Sequence, residues 1–114
     1  MHEVSVALSL LDIAEKKCLE EGYHSIESVR VRVGRASGIL PEALTFAFQA
    51  VQRETMAKDA KFILDIIPLG AICKKCGNSF ETEESYILEC PLCSSTSFQI
   101  HKGYELELVE LEVT

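Results

Sequence analysis

Residues 73–93 read CKKCGNSFETEESYILECPLC, in which two Cys-x-x-Cys turns, Cys73–Cys76 and Cys90–Cys93, stand thirteen residues apart. Each turn can put two sulfurs on one ion, and two turns complete a tetrahedral set at ~2.3 Å with no position left for water or substrate. The pattern reads as a closed structural Zn²⁺ site on Cys73, Cys76, Cys90 and Cys93. A thioredoxin-like redox pair needs one such turn at the start of a helix that lowers a thiol pKa, and two knuckles in a hairpin context argue against it. An iron–sulfur cluster is the minor alternative that four cysteines leave open. The intervening residues include Phe80, Tyr86 and Ile87, enough for a short hairpin between the knuckles. A zinc-ribbon-like lobe is therefore expected, and metal binding worth ~10–16 kcal/mol in small zinc peptides is ample to fold it.

Upstream, Val4, Ala7, Leu8, Leu11, Ala14 and Cys18 recur at helical spacing and predict a helix over 3–21, stopped at Gly22. Val29, Val31 and Val33 alternate with Arg30 and Arg32, a half-buried strand ending at Gly34. A loop to Leu40 leads to Pro41, a good first-turn residue, and a second helix with Leu44, Ala47, Phe48 and Val51 on one face. Lys61 to Ile67 predicts a second strand, closed by Pro68 and Gly70. From Tyr104 the alternation resumes and slips by one at Leu108–Val109, which fits a β-bulge or a strand passing from one core to another. The expected fold is α+β: two helices packed on a small mixed β-sheet, with an inserted zinc-ribbon-like lobe. Residues 1–70 plus 104–114 would form the helix-sheet domain and 71–103 the zinc-binding domain.

A chain of 114 residues, 47% hydrophobic and 25% charged, supports one modest core; a second would need a metal staple. Formal net charge is −7, and four thiolates with one Zn²⁺ would take it to about −9. Residues 73–114 hold three lysines against eight glutamates, so a phosphate backbone would be repelled and nucleic acid is not an expected partner. No apolar run approaches the ~20 residues of a membrane span, and the start lacks a signal-peptide pattern. Four knuckle cysteines and one isolated Cys18 suit a reducing compartment, so a cytoplasmic location is expected, with Cys18 a small buried residue.

The chain opens Met1-His2-Glu3. The free amine of Met1, the amide nitrogens of His2 and Glu3, and the His2 imidazole can surround Ni²⁺ or Cu²⁺ in one plane, because these ions favour square-planar nitrogen fields and can drive amide deprotonation. The bland alternative is a frayed terminus whose histidine does nothing. His24 reads as a solvated loop residue and His101 as a surface residue that could reach a second metal. Glu105, Glu107, Glu110 and Glu112 read as the solvated face of the last strand rather than a metal surface. Nothing supplies an open metal position or a nucleophile with a base, so an enzyme is not expected.

Three features together are narrow: Met1-His2-Glu3 opening an amphipathic helix with Val31-Arg32-Val33-Gly34 after it, the paired knuckles, and Gly103-Tyr104-Glu105-Leu106 leading into the final strand. Along its whole length the chain resembles the HypA/HybF family of hydrogenase nickel-insertion proteins. The resemblance implies a metallochaperone, not a catalyst, that takes Ni²⁺ as transient cargo on Met1, His2 and Glu3 and delivers it to the precursor of the [NiFe]-hydrogenase large subunit. It implies structural Zn²⁺ on the four cysteines and a HypB-type GTPase partner, with the protein a monomer or weak homodimer. Some members carry histidines beside the knuckles; here Lys74, Lys75 and Ser94 stand there, which favours hydrogenase over urease. The rival reading is a zinc-ribbon interaction adaptor without metal cargo, its helix-strand body or acidic last strand docking a protein.

Overall fold

The computed structural model describes residues 2–114, with side chains from Glu3 onward. Helix α1 spans His2–Glu20 and buries Ala7, Leu10, Leu11, Ala14 and Cys18. Val4 and Leu8, which the apolar spacing places on the same stripe, are exposed. At 100° per residue Leu8 sits about 100° from the middle of the face defined by Ala14 and Cys18, and Val4 lies in the first turn, ahead of the buried run that begins at Ala7. Helix α2, Pro41–Val51, begins on its proline and buries Leu44, Ala47 and Phe48.

Strand β1, Ile26–Gly34, is central to the first sheet. It pairs in parallel with β2, Lys61–Ile67, matching Ser28 to Lys61 and Gly34 to Ile67. Parallel neighbours require a crossover, and α2 supplies it. On the other side β1 pairs antiparallel with β6, Leu106–Val113. The sheet is thus small and mixed, as expected. Val29, Val31 and Val33 are fully buried beneath the helices, and the rings of Phe48 and Phe62 stack at 4.2 Å. Arg30 opposes Glu110 and Val31 opposes Leu108, so Val109 is the extra residue of a bulge. The slip in alternation at Leu108–Val109 is that bulge.

The opposite face of this sheet is polar along β1 and β6. Arg30 donates to both carboxylate oxygens of Asp65 at 2.8 and 3.0 Å and lies 3.4 Å from Glu110. Arg32 reaches Glu107 at 3.1 Å, and the Ser28 hydroxyl donates to Glu112 at 2.8 Å. The strand glutamates are thereby engaged across the sheet.

After Ile67 the chain passes Pro68 into a second, antiparallel sheet of order β4-β3-β5, with β3 Leu69–Cys73, β4 Ser79–Thr82 and β5 Phe98–Lys102. The expected hairpin between the knuckles takes a different form. The intervening residues give one strand, β4, which folds back on β3, and β5 comes after the second knuckle. Residues 83–89 begin Glu83-Glu84-Ser85, a start with too little apolar alternation to make a second strand. Phe80 and Phe98 meet edge to face at 6.2 Å across β3, where Ala71 leaves them room.

The return from β5 to β6 is pinned on the end of β1. Gly34 N–H donates to Glu105 C=O at 2.8 Å, and Ala36 N–H donates to Gly103 C=O at 2.8 Å. A Cβ on Gly34 would fall inside the carbonyl group of Gly103 and lie 2.7 Å from Tyr104 N. Gly103 in turn has φ +122° and lies against Leu69, whose Cα would be 2.7 Å from a Cβ there. Glycine is required at both positions, one for space and the other also for its backbone angle.

Candidate metal centre

The two knuckles are built alike. In the first, Cys73 N–H donates to Asn78 C=O at 2.9 Å and Gly77 N–H returns to Cys73 C=O at 3.0 Å. In the second, Cys90 N–H donates to Ser95 C=O at 2.9 Å and Ser94 N–H returns to Cys90 C=O at 2.9 Å. The residue after each second cysteine is left-handed, Gly77 at φ +77° and Ser94 at φ +62°. That single left-handed residue turns the chain back after the second cysteine of each knuckle. Only the first knuckle uses glycine there, so the equivalence is hidden in the sequence.

β3 delivers Cys73 and the two tight turns deliver the rest. The four Sγ atoms all lie within 4.8 Å of one another, with Cys73 to Cys93 at 3.5 Å and Cys76 to Cys90 at 3.7 Å. Bonds of ~2.3 Å to a central tetrahedral ion imply sulfur–sulfur edges of about 3.8 Å. The donor set therefore fits one tetrahedral ion. Cys73 and Cys90 are buried, Cys93 half-buried and Cys76 exposed.

Local dipoles prepare these sulfurs unequally. The N–H groups of Cys76 and Lys75, each 3.4 Å from Cys73 Sγ, hold the Cys73 thiol down at about 6. The N–H of Cys93, then that of Leu92, lowers Cys90. For Cys76 the N–H of Asn78 favours the thiolate, but desolvation and the neighbouring sulfurs outweigh it and push the thiol up to about 11. Four thiolates this close repel one another, and a divalent cation is the partner that lets all four ionise together.

The other candidate residues are dispersed. Met1 and the imidazole of His2 lie outside the described residues. Glu3, in the first turn of α1, accepts a hydrogen bond from Leu40 N–H at 3.3 Å. Its own amide first, and then that of Leu40, lower its carboxyl pKa. His24 and His101 are exposed. Among the described residues the four cysteines are the one group of three or more His, Cys, Asp or Glu donors close enough to share an ion, and His101 stands outside it. Glu105 accepts from Gly103 N–H at 2.8 Å, which accounts for the fourth strand glutamate. Cys18 is buried and faces Ser25 C=O at 3.8 Å, with its thiol pKa raised by desolvation and then by Glu15. Leu40 is the functional neighbour that the sequence does not reveal, because an amide carries no side-chain signal.

Comparison with known proteins agrees along the whole chain. The family model described as "Hydrogenase/urease nickel incorporation, metallochaperone, hypA" matches residues 1–113. A hydrogenase maturation factor HypA of a Picosynechococcus species is 40% identical over 113 residues, covering 99% of each chain. The hydrogenase maturation factor HypA of Syntrophus aciditrophicus is 36% identical over 115 residues, again covering 99% of each. Among solved structures, the Ni metallochaperone HypA from Helicobacter pylori superposes with a TM-score of 0.67 at 28% identity, covering 97% of this chain and 96% of that one. A second, described as the solution structure of HypA protein, gives a TM-score of 0.65 at 32% identity, covering 100% and 97%.

Proposed function

Because the chain belongs to the HypA family of hydrogenase/urease nickel-incorporation metallochaperones, we propose that it carries Ni²⁺ as transient cargo at its N-terminus. The ligands are the Met1 amine, the amides of His2 and Glu3, and the His2 imidazole. The recipient is the precursor of the [NiFe]-hydrogenase large subunit, and a HypB-type GTPase works with the carrier. The observation that carries this reading is the start of α1 at His2. The first N–H groups of a helix have no intrahelical acceptor, so deprotonating the amides of residues 2 and 3 breaks no helical hydrogen bond. The negative charge this creates sits at the positive end of the helix dipole. The Glu3 carboxylate, held by Leu40 N–H, anchors the terminus without being spent on the ion.

Zn²⁺ on Cys73, Cys76, Cys90 and Cys93 is structural. It supplies charge neutralisation and a tetrahedral cross-link between two turns, and its closed shell keeps cargo out. We divide the chain accordingly, into residues 1–70 with 104–114 for nickel and 71–103 for zinc. The protein acts as a carrier and catalyses no reaction. A cytoplasmic location is supported by four thiolates that must stay reduced, and the acidic balance disfavours nucleic acid as a partner.

Substituting His2→Ala removes the imidazole while leaving every described contact untouched. Stoichiometric Ni²⁺ binding should disappear with zinc content and helicity unchanged. Unaltered nickel affinity in that variant would refute the assignment and leave the zinc-ribbon adaptor as the better reading.

A further inference from the structure

The first sheet ends on β6, and among the described residues no strand pairs with its outer edge. Along that edge, between β6 and the last turn of α1, runs a groove of about 440 Å³. Its lining is apolar at Cys18, Tyr23, Leu108, Val109, Leu111 and Val113 and charged at Lys17, Glu21 and Glu110. Leu108, Leu111 and Val113 face the core layer yet stay half-buried, because α1 does not extend over the sheet margin. Val109, the bulge residue, is 45% exposed, and Tyr23 is 44% exposed. The other side of the same strand is acidic. There β6 presents Glu107, Glu110 and Glu112, and on neighbouring β1 Arg30, shared between Glu110 and Asp65 of β2, and Arg32 neutralise only part of the row.

We propose that this edge is a docking site for an extended peptide segment of a protein partner, one that alternates apolar and basic residues and adds to the sheet beside β6. Free backbone groups of an edge strand recognise an extended chain, and side-chain pockets on alternate positions select its sequence. A strand added here puts one set of side chains into the groove, completing burial of Leu108, Leu111 and Val113. It puts the alternate set beside the acidic row. That two-faced environment dictates the apolar–basic alternation. A second copy is disfavoured as the occupant. Two β6 strands laid side by side would bring acidic row to acidic row, and like charges opposed across strands destabilise pairing. The inference is independent of the cargo reading, since no groove residue is a proposed metal ligand.

The test uses the full zinc-loaded chain and a labelled synthetic peptide of about nine residues alternating valine with lysine, cut to the length of a strand such as β6. Binding is read by fluorescence anisotropy and its location by amide hydrogen exchange. The expected results are slowed exchange confined to 106–113 and the adjoining end of α1, and affinity that falls as salt is raised. Replacing the peptide lysines by glutamate should abolish binding. Val109→Lys, at an exposed position outside the β1 register, should weaken it about ten-fold or more. No binding, equal binding of the lysine and glutamate peptides, or protection elsewhere would overturn the proposal. So would protection of 106–113 without peptide that grows with protein concentration, since a second copy would then own the edge.

Discussion

Replacing Gly34 by alanine tests how the two sheets are joined. The new Cβ would fall inside the Gly103 carbonyl and lie 2.7 Å from Tyr104 N, whereas ordinary contact begins at 3.4 Å. The nearer Gly103 carbonyl atoms make the crossing backbone retreat by more than about 1 Å, which breaks two 2.8 Å hydrogen bonds, Gly34 to Glu105 and Ala36 to Gly103. Neither side can yield by a rotamer change, because the clash is backbone on backbone. Losing two bonds at a net ~1 kcal/mol each, with a further share for poorly satisfied donors, comes to about 2–3 kcal/mol. For a domain of this size that lowers the melting temperature by about 10–20 °C. The assay is thermal unfolding of the zinc-loaded protein followed by helical circular dichroism, with Gly38→Ala as control. Gly38 has φ +84° but open space around it, so its variant loses only ~1–2 kcal/mol through backbone strain. A Gly34→Ala melting temperature within about 3 °C of wild type, or one no lower than that of the control, would refute the reasoning.

Three further outcomes rest on contacts elsewhere in the fold. Gly77→Ala adds a Cβ that meets nothing within 4 Å but forces alanine to φ +77°, so zinc affinity measured by chelator competition should fall by about 5–30-fold through ~1–2 kcal/mol of strain alone. Gln52→Leu should destabilise the protein to urea by about 2–3 kcal/mol, because Gln52 Nε2 donates to the buried carbonyls of Ala57 and Ala60 at 2.7 and 3.1 Å and leucine leaves both without that donor. Zinc removal by a chelator should abolish amide protection in 69–102 while α1 and α2 keep theirs. Since the ligands bind as thiolates, release should become easier as pH falls through the range where protons compete for sulfur. Protection retained throughout 69–102 in the metal-free protein would show that the second sheet does not depend on its ion.

Much of this architecture is visible in the sequence because it rests on period and spacing. The helices, the Val29–Val33 alternation and the slip at Leu108–Val109 each register as a one-dimensional pattern, and the slip proved to be a bulge opposite Arg30 and Val31. The four cysteines are legible because ion geometry fixes their spacing, whatever fold surrounds them. What stays hidden is pairwise and long-range. β4 returns to β3 instead of making a hairpin between the knuckles, a choice set by partner availability. The motifs Val31-Arg32-Val33-Gly34 and Gly103-Tyr104-Glu105-Leu106 look unrelated along the chain, yet they meet where the backbone crosses between sheets. Ser94 conceals its equivalence to Gly77, because a left-handed serine is stabilised by the knuckle hydrogen bonds and not by its own preference. Leu40 acts on Glu3 through its amide alone.

The claim that the N-terminus carries the cargo is tested most directly by titrating Ni²⁺ into the untagged, zinc-loaded chain and into one extended by a residue before Met1, following the yellow absorption band of square-planar nickel. The extension converts the primary amine into an amide and displaces the chelate while every contact of α1 beyond its first turn stays in place. A terminal site gives one equivalent bound with the band in the native chain and loss of both in the extended one. Identical nickel binding by the two chains would contradict it and move the cargo site away from Met1, His2 and Glu3.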